Sequence, residues 1–302
     1  MDAHNPACQL PGGSGSSFTA KVQALGLAVA CLRCPVCGSL MSLSGARLAC
    51  RRHHSFDVAR QGYVNLCAGR AGPGTGDSAA MVAARDRFLG HGHYRPLASS
   101  VRSLAARYDS AGPGLVVDLA GGTGYYLAEI LDALPGRSGL CIDLSVPALR
   151  RASRAHPHAA ALAADVWQRL PLAAHSAAVV LSVFGPRNAA EIDRILTPDG
   201  VLIIAAPGTG HLREVRQPLG LIGIDPAKPR RLADAFSRYA TCDVIPVNYR
   251  LSLDHADLAA LVAMGPSARH ITSRALAARI RALPDPATVT ADLRIRVYRR
   301  RP

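Results

Sequence analysis

The sequence predicts an α/β chain, a doubly wound and mostly parallel sheet preceded by a small N-terminal zinc-binding module. Three observations carry this prediction. Short apolar runs alternate with helical stretches from Gly114 onward. A glycine-rich loop, Asp118-Leu119-Ala120-Gly121-Gly122-Thr123-Gly124, follows the first of those runs. Upstream, Cys34, Cys37, Cys50 and His54 stand at zinc-knuckle spacing.

The 302 residues have room for one large or two medium domains, and a hydrophobic content of 49% is ample for a core. The net charge is +14. Lysine occurs only at Lys21 and Lys228, so the positive charge is nearly all arginine. Guanidinium forks match phosphate geometry and point to a nucleic-acid partner; the competing reading is a GC-rich coding bias. The eight cysteines do not form a disulfide framework. Three belong to the metal pattern, and Cys8, Cys31, Cys67, Cys141 and Cys242 are scattered, as in a reducing cytoplasm. No apolar run is long enough for a membrane span. Ala24 to Leu32 has the look of a signal segment but runs directly into the metal motif, so it reads as a lead-in to the zinc module.

Along the chain, residues 1–27 are expected to be a disordered extension, 28–68 the zinc module, 69–113 a linker and helices, and 114–302 the main α/β domain. Leu40 to Ser42 and Arg47 to Cys50 read as short strands, and 68–76 as a Gly-rich flexible linker. Asp77 is placed to cap a helix over Ala79 to Leu89, broken by His91-Gly92-His93-Tyr94-Arg95-Pro96 and resumed over Leu97 to Tyr108. Strands are predicted at 115–119, 138–143, 160–164, 177–184 and 201–206, with helices at 125–134, 146–155 and 189–196. Thr288 to Tyr298 alternates and reads as a late antiparallel strand.

The glycine loop departs from the dinucleotide form G-x-G-x-x-G. Its pattern, Asp-x-Ala-x-Gly-x-Gly with the acid ending a strand, resembles motif I of the class I S-adenosylmethionine-dependent methyltransferases, a Rossmann-like fold. Asp143 lies nineteen residues after Gly124 at the end of the second strand, where a carboxylate accepts ribose hydroxyls. Asp165 follows the third strand and matches an adenine-contacting position. Asp118, Gly122, Thr123 and Gly124 complete this cofactor set. The competing reading is a glycine turn with capping aspartates.

Thiolate and imidazole suit tetrahedral Zn²⁺, and four protein ligands close its shell, so the zinc is structural. Either His53 or His54 can reach the metal, with His54 preferred; Cys31 is less suitably spaced.

Cys34-Pro35-x-Cys37, then Cys50-x-x-x-His54-x-Phe56-Asp57-x-Ala59-x-x-Gly62-Tyr63-Val64-Asn65-Leu66, resembles the N-terminal zinc module of the 23S rRNA (guanine-N1)-methyltransferase family. That family includes a housekeeping enzyme and tylosin/mycinamycin-resistance enzymes. The similarity continues through Gly76-Asp77-Ser78, Gly92-His93-Tyr94-x-Pro96, Ala206-Pro207-Gly208-x-x-His211 and Met264-x-Pro266. The resemblance implies a class I methyltransferase with zinc at Cys34, Cys37, Cys50 and His54. It implies S-adenosylmethionine contacts at Tyr94, Gly122, Thr123 and His211. It also implies a guanine target in a domain II stem-loop of 23S rRNA, and a homodimer whose zinc modules flank an RNA cleft. Ala120 in place of a frequent glycine, the charged Arg51-Arg52-His53 and an N-terminal segment without counterpart are departures from the family pattern.

Methyl transfer to guanine N1 requires loss of the N1 proton. Phe184-Gly185-Pro186-Arg187-Asn188 lies after the fourth strand, where class I enzymes present the acceptor. Arg187 or Asn188 is expected to contact the base or its phosphate, and Asp77 is a candidate proton acceptor. The alternative for Asn188 is a helix N-cap. Arg47, Arg51, Arg52 and Arg60 are expected to grip phosphates. Two rival functions are a small-molecule methyltransferase of antibiotic biosynthesis and a non-catalytic zinc-dependent RNA-binding protein.

Overall fold

The computed structural model describes residues 15–67 and 76–301. The expected linker at 68–76 lies almost wholly outside the described residues, as does the start of the expected disordered extension.

The remainder of that extension is a helix, α1 (Gly15–Ala28). Its composition hides this. The helix is held by tertiary burial of Ala24, Leu25 and Ala28, which share one face and are at most 2% exposed. β1 (Met41–Ser44), β2 (Arg47–Cys50) and β3 (Ser55–Asp57) then form a three-stranded antiparallel sheet.

β4 (Tyr63–Asn65) leaves that small sheet. It is followed by α2 (Ala79–Gly90), α3 (Arg95–Tyr108), β5 (Leu115–Leu119), α4 (Tyr125–Ala133), β6 (Gly139–Asp143), α5 (Val146–Ala152) and β7 (Ala159–Ala163). β8 (Ala177–Val183), α6 (Ala189–Ile195) and β9 (Leu196–Pro207) complete the alternating part. Then come α7 (Arg213–Leu219), α8 (Lys228–Ala235), β10 (Tyr239–Leu253), α9 (His255–Ala263), α10 (Ser273–Arg281) and β11 (Ala287–Arg300).

The main sheet runs β10-β11-β9-β8-β5-β6-β7-β4. β4 to β9 are mutually parallel, whereas β11 is antiparallel to both β9 and β10. Every residue of β5, β7 and β8 is buried, which is why they read as continuous apolar runs. Successive residues of β5 face opposite layers. Leu115, Val117 and Leu119 join the cluster that holds α1 and the small sheet, while Val116 joins α3 and α4. From β5 the chain winds outward through β6 and β7, then returns to place β8 and β9 on the other side. The reversal opens a crevice at the carboxyl ends of β5 and β8, the place where such sheets bind ligands.

The zinc segment is not a separate body. β4 pairs with β7, Val64 opposite Leu162. Arg33 N–H donates to Pro171 O at 2.9 Å and Ala173 N–H to Cys31 O at 2.8 Å. Leu32, Leu48 and Val64 share one core cluster with Leu162 and Leu172. The Gly62–Leu66 string is therefore the seam between the small sheet and the large one.

Two further differences from the sequence reading have local causes. Ser78, not Asp77, caps α2, its hydroxyl accepting from Met81 N–H at 3.3 Å. β10, absent from the prediction, pairs with β11 along its full length; its mixed exposure gives it no clean alternation.

Candidate active site and zinc centre

The two turns of the small sheet bring four side chains together. Cys34 Sγ lies 3.6 Å from His54 Nδ1, Cys50 Sγ 3.4 Å from the same nitrogen, and Cys37 Sγ 3.6 Å from Cys50 Sγ. A tetrahedral Zn²⁺ with sulfur ligands at about 2.3 Å sets its sulfurs about 3.8 Å apart, with S–N edges slightly shorter. The donor set and its spacing therefore fit one structural zinc. His53 adopts φ +63° and its side chain is exposed, so His54 is the histidine that faces the cluster. Hydrogen bonds from Ser39 bring the Cys37 thiol down to about 6, towards the thiolate a metal needs.

The glycine loop connects β5 to α4. Gly122 and Gly124 have φ of +58° and +77°. A Cβ on Gly124 would lie 3.0 Å from Ala152 Cα, so this glycine lets α5 approach the loop. Gly122 N–H donates to Asp143 Oδ2 at 2.9 Å, and Ser145 N–H to Asp143 Oδ1 at 2.8 Å. These bonds aim the Asp143 carboxylate across the loop from the end of β6. Burial raises its pKa, against the lowering effect of the two N–H groups. Asp118 is 1% exposed and its Oδ2 has no partner. Burial, and then Asp143, pushes its carboxyl well up, towards the neutral form. At the end of β7 the Asp165 carboxylate accepts from Trp167 N–H at 2.9 Å, turning the chain beneath an exposed indole.

Tyr94 and His211 close the other side. Tyr94 is 3% exposed, and its Oη lies 3.3 Å from His211 Nε2. With the phenol donating, Nε2 accepts and the proton of the neutral ring sits on Nδ1, which has no partner. Burial lowers His211 to about 4. Tyr94 is held in place from the preceding turn. His93 Nε2 lies 2.7 Å and His91 Nδ1 2.8 Å from the two oxygens of Asp257, pinning the end of α2 to α9.

Comparison with known proteins bears on this geometry. The family model described as "RlmA, N-terminal", a zinc ribbon, matches residues 32–68. A putative 23S rRNA (guanine-N(1)-)-methyltransferase of Micromonospora griseorubida is 47% identical over 89% of this chain and 97% of its own. The chain belongs to the 23S rRNA (guanine-N1)-methyltransferase family. The 23S rRNA (guanine(748)-N(1))-methyltransferase of Streptomyces fradiae is 44% identical, covering 89% of this chain and 96% of its own. A putative member from Bacillus subtilis is 35% identical over 61% of this chain and 67% of its own.

The cofactor of this family is S-adenosylmethionine, and the crevice fits it. Two buried polar atoms, Asp118 Oδ2 and His211 Nδ1, lack partners among the described residues. The loop between them is bare of Cβ atoms at Gly121, Gly122 and Gly124.

On the acceptor side the residues expected from the sequence separate. Asn188 takes the alternative role. Its Oδ1 accepts from Glu191 N–H at 3.3 Å as the N-cap of α6, and its Nδ2 donates to Trp167 O at 3.2 Å. Asp77 is near enough to Asp143 to raise its pKa, but is engaged by Arg85 at 2.6 Å and Arg269 at 3.8 Å. Arg187 keeps Nε and Nη2 without partners.

Two residues to which the sequence reading gave no individual role stand at the site. Arg85 pairs with Asp77 and donates to Met264 O at 2.9 Å; a Cβ on Gly122 would meet its Nη1 at 3.2 Å. Phe184 has φ +57°, is 39% exposed, and lies 5.7 Å from the Tyr94 ring. A bulky residue in the left-handed region is backbone strain at the mouth of a crevice. The Phe-Gly-Pro string after β8 locates that turn, but no sequence signal reports its φ.

Proposed function

We propose that the chain transfers the methyl group of S-adenosylmethionine to N1 of a guanine in 23S rRNA. The observation that carries this is near-full-length similarity to relatives named for that reaction, together with a zinc-ribbon family match over residues 32–68. The Streptomyces fradiae relative is named for guanine 748, which makes that nucleotide, in the domain II stem-loop, the first target to test.

The cofactor supplies an activated methyl, so the chain's task is positioning and charge management. In this reading Gly122, Thr123 and Gly124 admit the cofactor to the backbone, and Asp143 and Asp165 accept from its hydroxyl and amino groups. Tyr94 and His211 wall the pocket, and Asp118 orders the loop from beneath. Phe184 offers its exposed ring to the guanine face, since bases taken out of a fold stack on aromatic side chains. Asp77 is the candidate acceptor for the N1 proton, with Arg85 and Arg269 shared or displaced when it acts. The exposed Arg51, Arg52 and Arg60 of the zinc module grip the stem-loop phosphates, while Arg47 is partly spent on Asp57 at 2.8 Å.

The reading includes a homodimer with the two zinc modules flanking the RNA, action in the cytoplasm where the ribosome is, and reduced susceptibility to tylosin-type macrolides. Among the described residues no helix is long and apolar enough to cross a membrane. The zinc segment, bearing arginines and fused to the main sheet, disfavours a small-molecule acceptor.

Primer extension on 23S rRNA treated with the protein and cofactor tests the reaction. A stop one nucleotide before guanine 748 is expected. No stop anywhere in the domain II stem-loop would overturn the proposal. Sedimentation with and without the stem-loop tests the dimer.

A further inference from the structure

Arg187 sits on the turn between β8 and α6, at the carboxyl end of the sheet. Its Nε and Nη2 are shielded from solvent yet have no hydrogen-bond partner among the described residues. These two nitrogens form the side-on edge of the guanidinium, the fork that takes two oxygens of one phosphate or carboxylate in parallel. A shielded cation without an acceptor is costly, so the fold has left this fork for something it does not itself contain.

The surroundings select the ligand. Arg187 lines a crevice with Lys228, Arg296 and the Pro207-Gly208 turn after β9. The one acid in the lining, Asp225, is already taken. It pairs with Arg231 and accepts from Ala227 N–H. Burial lowers the pKa of both Arg187 and Lys228, and each has a further cation working in the same direction. Arg296 works against the charge of Arg187, which Tyr298 supports, and Arg187 and Arg231 work against that of Lys228, which Asp225 supports more weakly. A carboxylate and a phosphate diester each bring one negative charge and two oxygens to such a fork; phosphate is the anion that the RNA substrate of the proposed reaction presents. Lys228 is, with Lys21, one of only two lysines in a chain that otherwise uses arginine, and it stands here.

We propose that the Arg187–Lys228–Arg296 crevice binds a backbone phosphate of the substrate RNA beside the target guanine, and so sets which nucleotide enters the site. The inference rests on the rRNA-methylation reading above and adds the subsite that anchors the acceptor strand. Arg187 acts here as a positioning residue.

The test uses the full chain and a transcript of the domain II stem-loop. Arg187→Lys keeps a charge and removes the fork; Arg187→Met removes both; Lys228→Ala removes a flanking cation. Each is expected to raise KM for the transcript, roughly tenfold or more for Arg187→Met, with cofactor affinity unchanged by calorimetry. For Arg187→Met and Lys228→Ala the slope of log KM against log salt should fall by about one phosphate contact. Arg187→Met should also melt no lower than the parent, because it deletes a shielded guanidinium edge that lacks an acceptor. Inorganic phosphate at millimolar concentration should inhibit the parent competitively with RNA and leave Arg187→Met unaffected. Unchanged KM and salt slope in a folded Arg187→Met variant would overturn the proposal. So would a loss of cofactor affinity, which would assign the crevice to the cofactor. If phosphate binds but the KM for RNA does not move, the crevice is a free-phosphate site and the proposal fails. A parent protein that methylates no rRNA transcript would instead remove the reading on which this subsite rests.

Discussion

The Tyr94 hydroxyl and His211 Nε2, 117 residues apart in sequence, lie 3.3 Å apart in a buried contact. With the phenol as donor, the bond holds the histidine in the Nδ1–H tautomer, and so sets the direction of that unpartnered group. Tyr94→Phe keeps the packing against Phe88 and Phe184 but frees His211 to take the other tautomer. Calorimetry should show S-adenosylmethionine binding weakened by roughly tenfold, in line with one lost hydrogen bond at a buried site, and a melting temperature within a few degrees of the parent. Unchanged affinity would remove Tyr94 and His211 as a coupled pair.

His211 also makes a pH prediction. Its folded pKa of about 4 lies below the usual value of 6.5. The unfolded chain therefore binds more protons than the folded one between these values, and folding loses stability as pH falls through that window. The full effect is about 3 kcal/mol. Asp118 and Asp143, with raised values, work in the opposite sense. Urea unfolding of the parent and of His211→Gln at pH 7 and pH 5 isolates the histidine. The parent should lose more stability than the variant on acidification, and equal losses would contradict the assignment.

Ala120 occupies φ +54° within the glycine loop. An alanine in the left-handed region costs about 1 kcal/mol relative to glycine. Ala120→Gly should raise the melting temperature by a few degrees, read by scanning calorimetry.

Zinc removal should be felt far from the metal. The ligand turns share a core with Leu162 and Leu172, and β4 forms one edge of the main sheet. Chelation is expected to lower the melting temperature of the whole chain in a single transition. Two resolved transitions would show that the module unfolds alone. His54→Ala should release the metal in a colorimetric zinc assay, and His53→Ala should retain it.

The motifs legible in the sequence were those whose chemistry is local. Cys34-x-x-Cys37 and the loop from Asp118 to Gly124 each come from one turn, so spacing alone exposes them. The buried strands β5, β7 and β8 showed as apolar runs because both their faces are covered. α1 and β10 did not show. The first becomes a helix through burial of a few apolar residues on a neighbouring sheet, and the second is a strand because β11 offers it a partner. Asn188 was legible in both its roles, and only the presence of Trp167 O and Glu191 N–H decided for the cap.

By itself, the sequence determined the family, the fold class, the four-residue cluster that suits zinc and the glycine loop proposed for the cofactor. Each of these is written in residue types at fixed short separations. The tertiary structure decided what depends on distant segments meeting. It chose His54 over His53, and it tied the zinc segment to the sheet through Tyr63–Asn65. It bound Asp77 to Arg85 and Arg269, and it left the Arg187 fork open beside Lys228 and Arg296. Those outcomes depend on which side chain is desolvated and which already has a partner, and the order of residues along a chain specifies neither until the chain has folded.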